Sequence, residues 1–189
     1  VVECTGVGEA FVGRLGGTAS EGAERMSETF SEAGLETRAR TDMPTVLWRK
    51  LAVNAGINPV TSLTRLTNGE AVERAGGTVR RAVEEVVDVA EARGVDVGDA
   101  YERTVEVARS TASNRSSMLQ DVERGNRTEI DAINGYVVDV ARDTEDVDVP
   151  VPVNRSLTEM VRASEADSAR SEGRGRDGRD TTEGGKDAY

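Results

Sequence analysis

The lysine at position 50 is the first residue whose type and position point to chemistry. Of the 24 Lys and Arg residues in the chain, only Lys50 and Lys186 are lysines, and Lys186 lies in a Gly- and Asp-rich C-terminal stretch. Lys50 instead lies in the apolar stretch LWRKLAVN, directly after Arg49. A lysine can release its proton in a suitable environment, whereas an arginine guanidinium stays charged. The residue type therefore makes Lys50 a candidate proton donor and not only a positive charge.

Two asparagines share a predicted helical face with Lys50. Lys50, Asn54 and Asn58 follow one another at intervals of four residues, and side chains at this spacing fall about 40° apart around a helix axis. Because the neighbouring residues are apolar, this polar stripe either faces solvent or lines a cleft. Pro59 lacks a backbone donor, so we expect the helix to kink or break at Asn58. The alternative interpretation is an exposed lysine and an asparagine that serves as a local cap.

A second group of polar residues lies in NRSSMLQD and in the TEID that follows it. Ser116 or Ser117 could cap a short helix, and Asn126 or Thr128 could cap the next one. On a helical wheel, Glu129 borders the apolar face of that next helix. Since a carboxylate at such a border needs a partner, we expect it to pair with Lys50.

The composition argues against several classes of function. A net charge of -11 argues against binding to nucleic acid, which depends on clustered Lys and Arg. No apolar run approaches the roughly 18 residues of a membrane-spanning helix, and no signal segment is recognised, so we expect a cytoplasmic protein. One cysteine and no histidine predict neither an intrachain disulfide nor a metal site. The acidic, lysine-poor composition is typical of proteins from halophilic archaea.

Strand and helix signals alternate up to about residue 41. Apolar alternation and glycines predict a strand and hairpin over residues 1–17. Thr18 begins a capping pattern for an amphipathic helix that Gly34 ends. Residues 35–40 then predict a short strand. This alternation predicts that residues 1–41 form the end of a separate domain.

Only helical signals follow. Asp42 can cap the helix that contains Lys50, which we expect to end near Leu63. Further apolar residues at helical spacing predict helices around residues 79–90, 101–108, 118–123, 130–140 and 154–164. We therefore assign residues 42–167 to a helical domain and residues 168–189, which have little to bury, to a disordered tail.

Four motifs in a fixed order resemble the ketopantoate reductase family. They are LWRKLAVNAGINPVTSL, NGE at residues 68–70, NRSSMLQDVERG and TEIDAINGYVV, and the similarity extends from about residue 1 to residue 165. The resemblance implies a mainly α fold, with an all-helical C-terminal domain of the 6-phosphogluconate-dehydrogenase-like type. The last β-strands and helix of a truncated Rossmann domain would precede it. The implied activity is 2-dehydropantoate 2-reductase, which reduces ketopantoate to pantoate with NADPH for pantothenate and coenzyme A biosynthesis; NADH is left open.

The resemblance also implies roles for particular residues. Lys50 matches the catalytic lysine that protonates the alkoxide, and Glu129 matches a carboxylate close to the nicotinamide cofactor. The positions that match substrate-binding residues are Asn54, Asn58, Asn68, Ser117 and, as a further candidate, Asn114. However, no Gly-x-Gly-x-x-Gly turn lies between a strand and a helix, so we expect this chain alone to bind NADP(H) poorly.

The sequence is also compatible with two further functions. One is a related oxidoreductase acting on another 2-oxo acid, and the other is a non-catalytic helical module for binding or dimerisation. A homodimer is compatible with each of them.

Overall fold

The computed structural model describes residues 8–143 and 149–176, and the side chains up to residue 165. Its N-terminal part contains strand β1 (Ala10–Val12), helix α1 (Glu21–Glu32) and strand β2 (Thr37–Ala39). The two strands pair in parallel, so α1 is the crossover between them. The predicted order of strand, helix and strand is confirmed. The described part of the predicted hairpin pairs only with β2, and residues 1–7 lie outside the described residues.

Residues close in sequence determine where helix α1 begins and ends. Ser20, and not the predicted Thr18, occupies the N-cap, and its hydroxyl accepts a hydrogen bond of 3.4 Å from the Ala23 amide. Ser20 has the extended backbone that an N-cap requires. Gly34 follows the helix with a φ of +86°, as its predicted role in ending the helix requires.

Helix α2 (Met43–Thr64) is the long helix that carries Lys50. Pro44 lies in its first turn, where the missing amide costs nothing. Asp42 occupies the N-cap, but its carboxylate makes no cap hydrogen bond. Arg40 holds it instead, through a hydrogen bond of 2.7 Å from Nε to Oδ1. The predicted end of the helix near Leu63 is confirmed, while the predicted cap by the Asp42 side chain is wrong.

Pro59 does not break helix α2, which continues through it to Thr64. Of the predicted kink or break at Asn58, the break is therefore wrong, and the kink stays a prediction. Proline cannot donate to the carbonyl four residues earlier, which belongs to Ala55. Asn134, from a distant part of the chain, donates from Nδ2 to that carbonyl oxygen at 3.1 Å. A side chain thus replaces the missing backbone donor.

The remaining helices complete a mainly helical fold, as predicted. They are α3 (Asn68–Ala92), α4 (Ala100–Ser110), α5 (Ser117–Glu123), α6 (Tyr136–Arg142) and α7 (Pro152–Arg176). A π-helical turn (Asp131–Gly135) leads directly into α6. The predicted disordered tail begins at Ser168, but α7 continues to Arg176, and residues 177–189 lie outside the described part.

The hydrophobic core lies within the helical part of the chain. Val83, Val86, Val137 and Val161 from helices α3, α6 and α7 are fully buried. In contrast, Thr37 is the only buried residue among residues 8–41. Helices α2 and α3 approach closely at Gly56, where an added Cβ would lie 2.8 Å from Cγ2 of Val83. This packing fixes the helix that carries the polar stripe.

Candidate functional site

The polar stripe on α2 passes from solvent into the protein. Lys50 is exposed, Asn54 is half-buried and Asn58 is only 8% exposed. At a rise of about 1.5 Å per residue, the stripe is roughly 12 Å long. None of the three side chains makes a hydrogen bond or ion pair with the described residues. The amide atoms of Asn58 are not among the fully buried atoms without a partner, so they reach the surface and are available to a ligand.

The start of helix α5 lies against the second half of α2. Oγ1 of Thr61 and Oγ of Ser116 are 2.7 Å apart in a buried hydrogen bond. Ser116 also caps α5 by accepting from the Leu119 amide at 3.1 Å, which confirms one of the two predicted caps. Ser117 is the first residue of α5, and its exposed side chain makes no hydrogen bond within the described residues. These contacts bring Ser117 beside the turn of α2 that follows Asn58.

Asn68 and Asn114 lie next to each other at the start of helix α3. The Asn68 amide donates to the Asn114 carbonyl oxygen at 3.0 Å, and Asn68 Nδ2 donates to Thr111 Oγ1 at 3.0 Å. Asn68 Oδ1 is buried and has no partner among the described residues. The exposed Asn114 lines a polar cavity of about 430 Å³ with residues of α5. Asn68 therefore presents an unused buried acceptor, which is unusual in a folded protein.

Glu129 does not pair with Lys50. It is exposed, and neither side chain makes an ion pair within the described residues. Glu129 precedes the π-helical turn, so the helical wheel used for the prediction does not apply to it. The expected Lys50–Glu129 pair is wrong for this structure. Thr128 is confirmed as a local cap, because its hydroxyl accepts from the Ile130 amide at 3.3 Å.

Asp131 is the carboxylate that is paired in this region. Arg162 donates from Nε to Asp131 Oδ1 at 2.7 Å, and Arg127 donates to Oδ2 at 2.8 Å. The hydrogen bonds from Arg162 and Arg127 hold the pKa of Asp131 below its usual range. The ion pair with Arg162 fastens the π-helical turn to α7.

An apolar cavity of about 380 Å³ lies beside the stripe. Leu47, Trp48 and Leu51 line it from α2, and Tyr136 lines it from α6. The rings of Trp48 and Tyr136 have centroids 6.1 Å apart and are tilted by 44°. The sequence predicts no role for these two aromatic residues. The side of α2 that carries the polar stripe is thus bordered by a cavity that can hold the apolar part of a small molecule.

The site contains groups for acid chemistry and for neutral hydrogen bonding. No group of three or more His, Cys, Asp or Glu in the described part of the chain is arranged to hold a metal ion. None of the described helices is long and apolar enough to cross a membrane. The predicted residues offer an ammonium, several amides and a hydroxyl, which are groups that can donate a proton or hydrogen-bond a small carboxylic acid.

Known proteins match this chain in sequence. The model of the ketopantoate reductase PanE/ApbA C-terminal domain matches residues 42–165. A 2-dehydropantoate 2-reductase from Halobacterium salinarum is 42% identical over 170 residues, covering 88% of this chain and 55% of that protein. One from Archaeoglobus fulgidus is 40% identical over 162 residues, covering 85% of this chain and 54% of that protein. The chain thus spans about half the length of these curated relatives.

Solved structures agree with this match. A PanE/ApbA family ketopantoate reductase from Ralstonia eutropha superposes with a TM-score of 0.77 at 29% identity, covering 87% of this chain and 54% of that one. D-mandelate dehydrogenase with NADH and anilino(oxo)acetate has a TM-score of 0.82 at 23% identity, covering 89% of this chain and 70% of that one. The second likeness supports the fold alone. The chain belongs to the ketopantoate reductase family and contains its C-terminal domain.

Proposed function

We propose that this chain is part of an NADPH-dependent 2-dehydropantoate 2-reductase, which reduces ketopantoate to pantoate in pantothenate and coenzyme A biosynthesis. The observation that carries the proposal is the stripe on α2. Its lysine makes no competing ion pair in the described structure, and the amide of the mostly buried Asn58 makes no hydrogen bond there. A substrate carboxylate or hydroxyl would satisfy that amide.

The residues of this chain do not fit the phosphate part of a dinucleotide. A phosphate-binding Gly-x-Gly-x-x-Gly turn must lie between a strand and a helix. The spacing occurs at Gly173, Gly175 and Gly178, but the first two lie inside helix α7. The proposed roles of this chain are therefore on the substrate side, and the hydride comes from a cofactor that other residues hold. We propose that residues 1–41 adjoin that cofactor site and that residues 42–167 form the substrate domain.

Lys50 acts on the oxygen of the substrate ketone in this proposal. Reduction of a ketone develops negative charge on its oxygen, and a nearby ammonium stabilises this charge and donates a proton to it. Lys50 is exposed and unpaired among the described residues, so its ammonium can approach a substrate bound beside Asn54 and Asn58. We propose that Glu129, which is also unpaired, approaches this ammonium only in the complex with substrate and cofactor.

The neutral groups orient the substrate. Asn54, Asn58 and Ser117 can donate hydrogen bonds to a carboxylate, and they keep their protonation state across physiological pH. The Oδ1 of Asn68 is buried without a partner in the described structure, and in this proposal it accepts a hydrogen bond from a substrate hydroxyl once the side chain turns outward. Asn114, at the mouth of the polar cavity, is a further contact. In this proposal Lys50 supplies the proton, and the neutral groups orient the substrate.

The test is the turnover of Lys50 variants in the protein encoded by the whole reading frame. Lys50→Ala should lower turnover by at least about a hundredfold, the scale of general-acid catalysis. Lys50→Arg should fail as well, because arginine keeps the charge but does not release the proton. Arg49→Lys is the matched control, since Arg49 pairs with Asp99 at 2.8 Å on the surface and should leave turnover within about twofold. Near-normal turnover of Lys50→Ala would remove the proposed role.

Substrate and cofactor are tested with the same protein. Ketopantoate should be reduced faster than other 2-oxo acids, and NADPH should be preferred to NADH. Preference for another 2-oxo acid would indicate a related oxidoreductase, and no reduction at all would indicate a binding module. We also propose a cytoplasmic homodimer, which a mass measurement in solution would test.

A further inference from the structure

The carbonyl oxygen of Ala55 lacks a backbone hydrogen-bond donor within helix α2. In an uninterrupted helix the amide of residue 59 would donate to it, but residue 59 is proline. Ala55 is fully buried, so water cannot reach the carbonyl easily. A proline inside a helix ordinarily kinks it at this point. Both asparagines of the stripe precede the proline: Asn54 lies just before the affected turn, and Asn58 lies directly before Pro59.

Asn134 supplies the missing donor. Its Nδ2 donates to the Ala55 oxygen at 3.1 Å and to Asn154 Oδ1 at 2.9 Å, so both amide hydrogens are used. The same side chain is 0% exposed, and its Oδ1 is buried without a partner in the described structure. Rotating the amide by 180° would place that oxygen against two acceptors, which fixes its orientation. Asn134 thus donates to two other oxygens, while its own Oδ1 accepts no hydrogen bond within the described residues.

The surrounding structure holds Asn134 in place. It lies on the π-helical turn, a local distortion that often occurs at functional sites. Asn154, its partner, donates from Nδ2 to the Ala82 oxygen at 3.0 Å and to Glu85 Oε2 at 2.8 Å. The buried hydrogen bonds therefore join α2, the π-helical turn, α7 and α3. We call the contact between Asn134 and the Ala55 carbonyl the Pro59 bridge.

We propose that Asn134 is a positioning residue that closes the turn of α2 left open by Pro59, through the Pro59 bridge, and so holds Lys50 and Asn54 in register with Asn58. A proline opens the turn between residues 55 and 59, so a kink there would swing Lys50 and Asn54, which precede the turn, away from Asn58 at its end. The bridge itself stands on the hydrogen bonds above, whereas its effect on catalysis rests on the proposed reductase function.

The first test measures the melting temperature of this chain in a double-mutant cycle. Asn134→Ala should lower Tm by on the order of 5 °C. In a Pro59→Ala background residue 59 regains its amide, so the same substitution should cost about 2–4 °C less. Asn154→Ala is the control, because Pro59→Ala cannot repair its loss. If Asn134→Ala does not fold, Asn134→Ser goes through the same cycle. Equal losses in both backgrounds would overturn the bridge.

The second test measures kcat and KM of the protein encoded by the whole reading frame. Asn134→Ala should lower kcat/KM for ketopantoate by about tenfold, and adding Pro59→Ala should restore most of it. The loss in Asn154→Ala should not be restored. Unchanged kcat/KM in Asn134→Ala together with a lower Tm would overturn the positioning role. If the unaltered protein reduces no 2-oxo acid, the proposed function fails, and the Tm cycle alone decides on the bridge.

Discussion

Glu85 provides the sharpest prediction about stability. It lies on α3, is only 8% exposed, and its carboxylate holds the start of α7. Oε1 accepts from the Val153 amide at 2.8 Å, and Oε2 accepts from the Asn154 amide at 2.9 Å and from Asn154 Nδ2 at 2.8 Å. Amides in the first turn of a helix have no acceptor within that helix. Glu85 therefore caps α7 from another helix, and its negative charge suits the positive end of the helix dipole.

The substitution Glu85→Gln keeps the shape of the side chain and replaces one acceptor oxygen with an amino group. At least one buried N–H loses its acceptor, and each such loss costs about 1–3 kcal/mol. Since the other hydrogen bonds also lose their charge, we expect the free energy of unfolding to fall by about 2–4 kcal/mol. Glu84→Gln is the matched control. The Glu84 side chain is 53% exposed and its distance to Arg80 is 3.8 Å, so its loss should stay within about 0.5 kcal/mol.

Urea unfolding followed by circular dichroism measures both variants against the unaltered chain. The urea midpoint should fall in Glu85→Gln without a large change in the m-value, and Tm should fall by roughly 5–10 °C. A Glu85→Gln variant as stable as Glu84→Gln would refute the conclusion that a buried carboxylate caps α7.

Three further substitutions test packing and charge. Gly56→Ala should destabilise the chain by about 1–3 kcal/mol, because the new methyl would meet Val83. Gly77→Ala is the comparison: it has open space around it and should stabilise the chain by about 0.5–1 kcal/mol. A higher Tm for Gly56→Ala would contradict the close approach of α2 and α3. Arg162 holds the pKa of Asp131 below its usual range, so the stability due to Asp131 is present above about pH 4 and lost as the pH falls further. Asp131→Asn should therefore lower the urea midpoint at pH 6 but not at pH 2, and parallel pH profiles would count against this linkage.

Much of the fold is encoded in short stretches that can be read without the structure. Val79, Val83 and Val86 recur at helical spacing, and Gly94 ends their helix with a φ of +75°. The spacing that places Lys50, Asn54 and Asn58 on one face depends only on the helical period. The alternation of strand and helix before residue 41 likewise predicts the parallel unit.

The errors arise where distant residues override a local signal. Pro59 is expected to break α2 because Asn134, which replaces its amide, is far away in sequence. Asp42 is expected to cap α2, but Arg40 competes for its carboxylate. Glu129 is placed on a regular helix, whereas a π-helical turn begins two residues later. Each error concerns a polar group whose partner is chosen by tertiary structure.

The candidate site shows the same limit. The proximity of Asn68 to Asn114 and of Thr61 to Ser116 depends on how α2, α3 and α5 pack, which periodicity does not reveal. The order of the family motifs indicates these residues without showing their geometry. Neither helical spacing nor the family motifs predict the role of Asn134. It lies in the TEIDAINGYVV motif, but its contact with the Ala55 carbonyl depends on tertiary structure.

The short connection between β2 and α2 has a mechanical consequence. β2 ends at Ala39 and α2 begins at Met43, so the link spans at most about 14 Å even when fully extended. The Arg40 amide also donates to the Val12 oxygen at 2.8 Å, which ties the link to β1. Lys50 lies roughly 10 Å along α2 from Met43, so a tilt of 10° about the link would move it by about 2 Å. Because its packing at Gly56 fixes α2, such a tilt would move the two parallel strands relative to the lysine and change the distance between them.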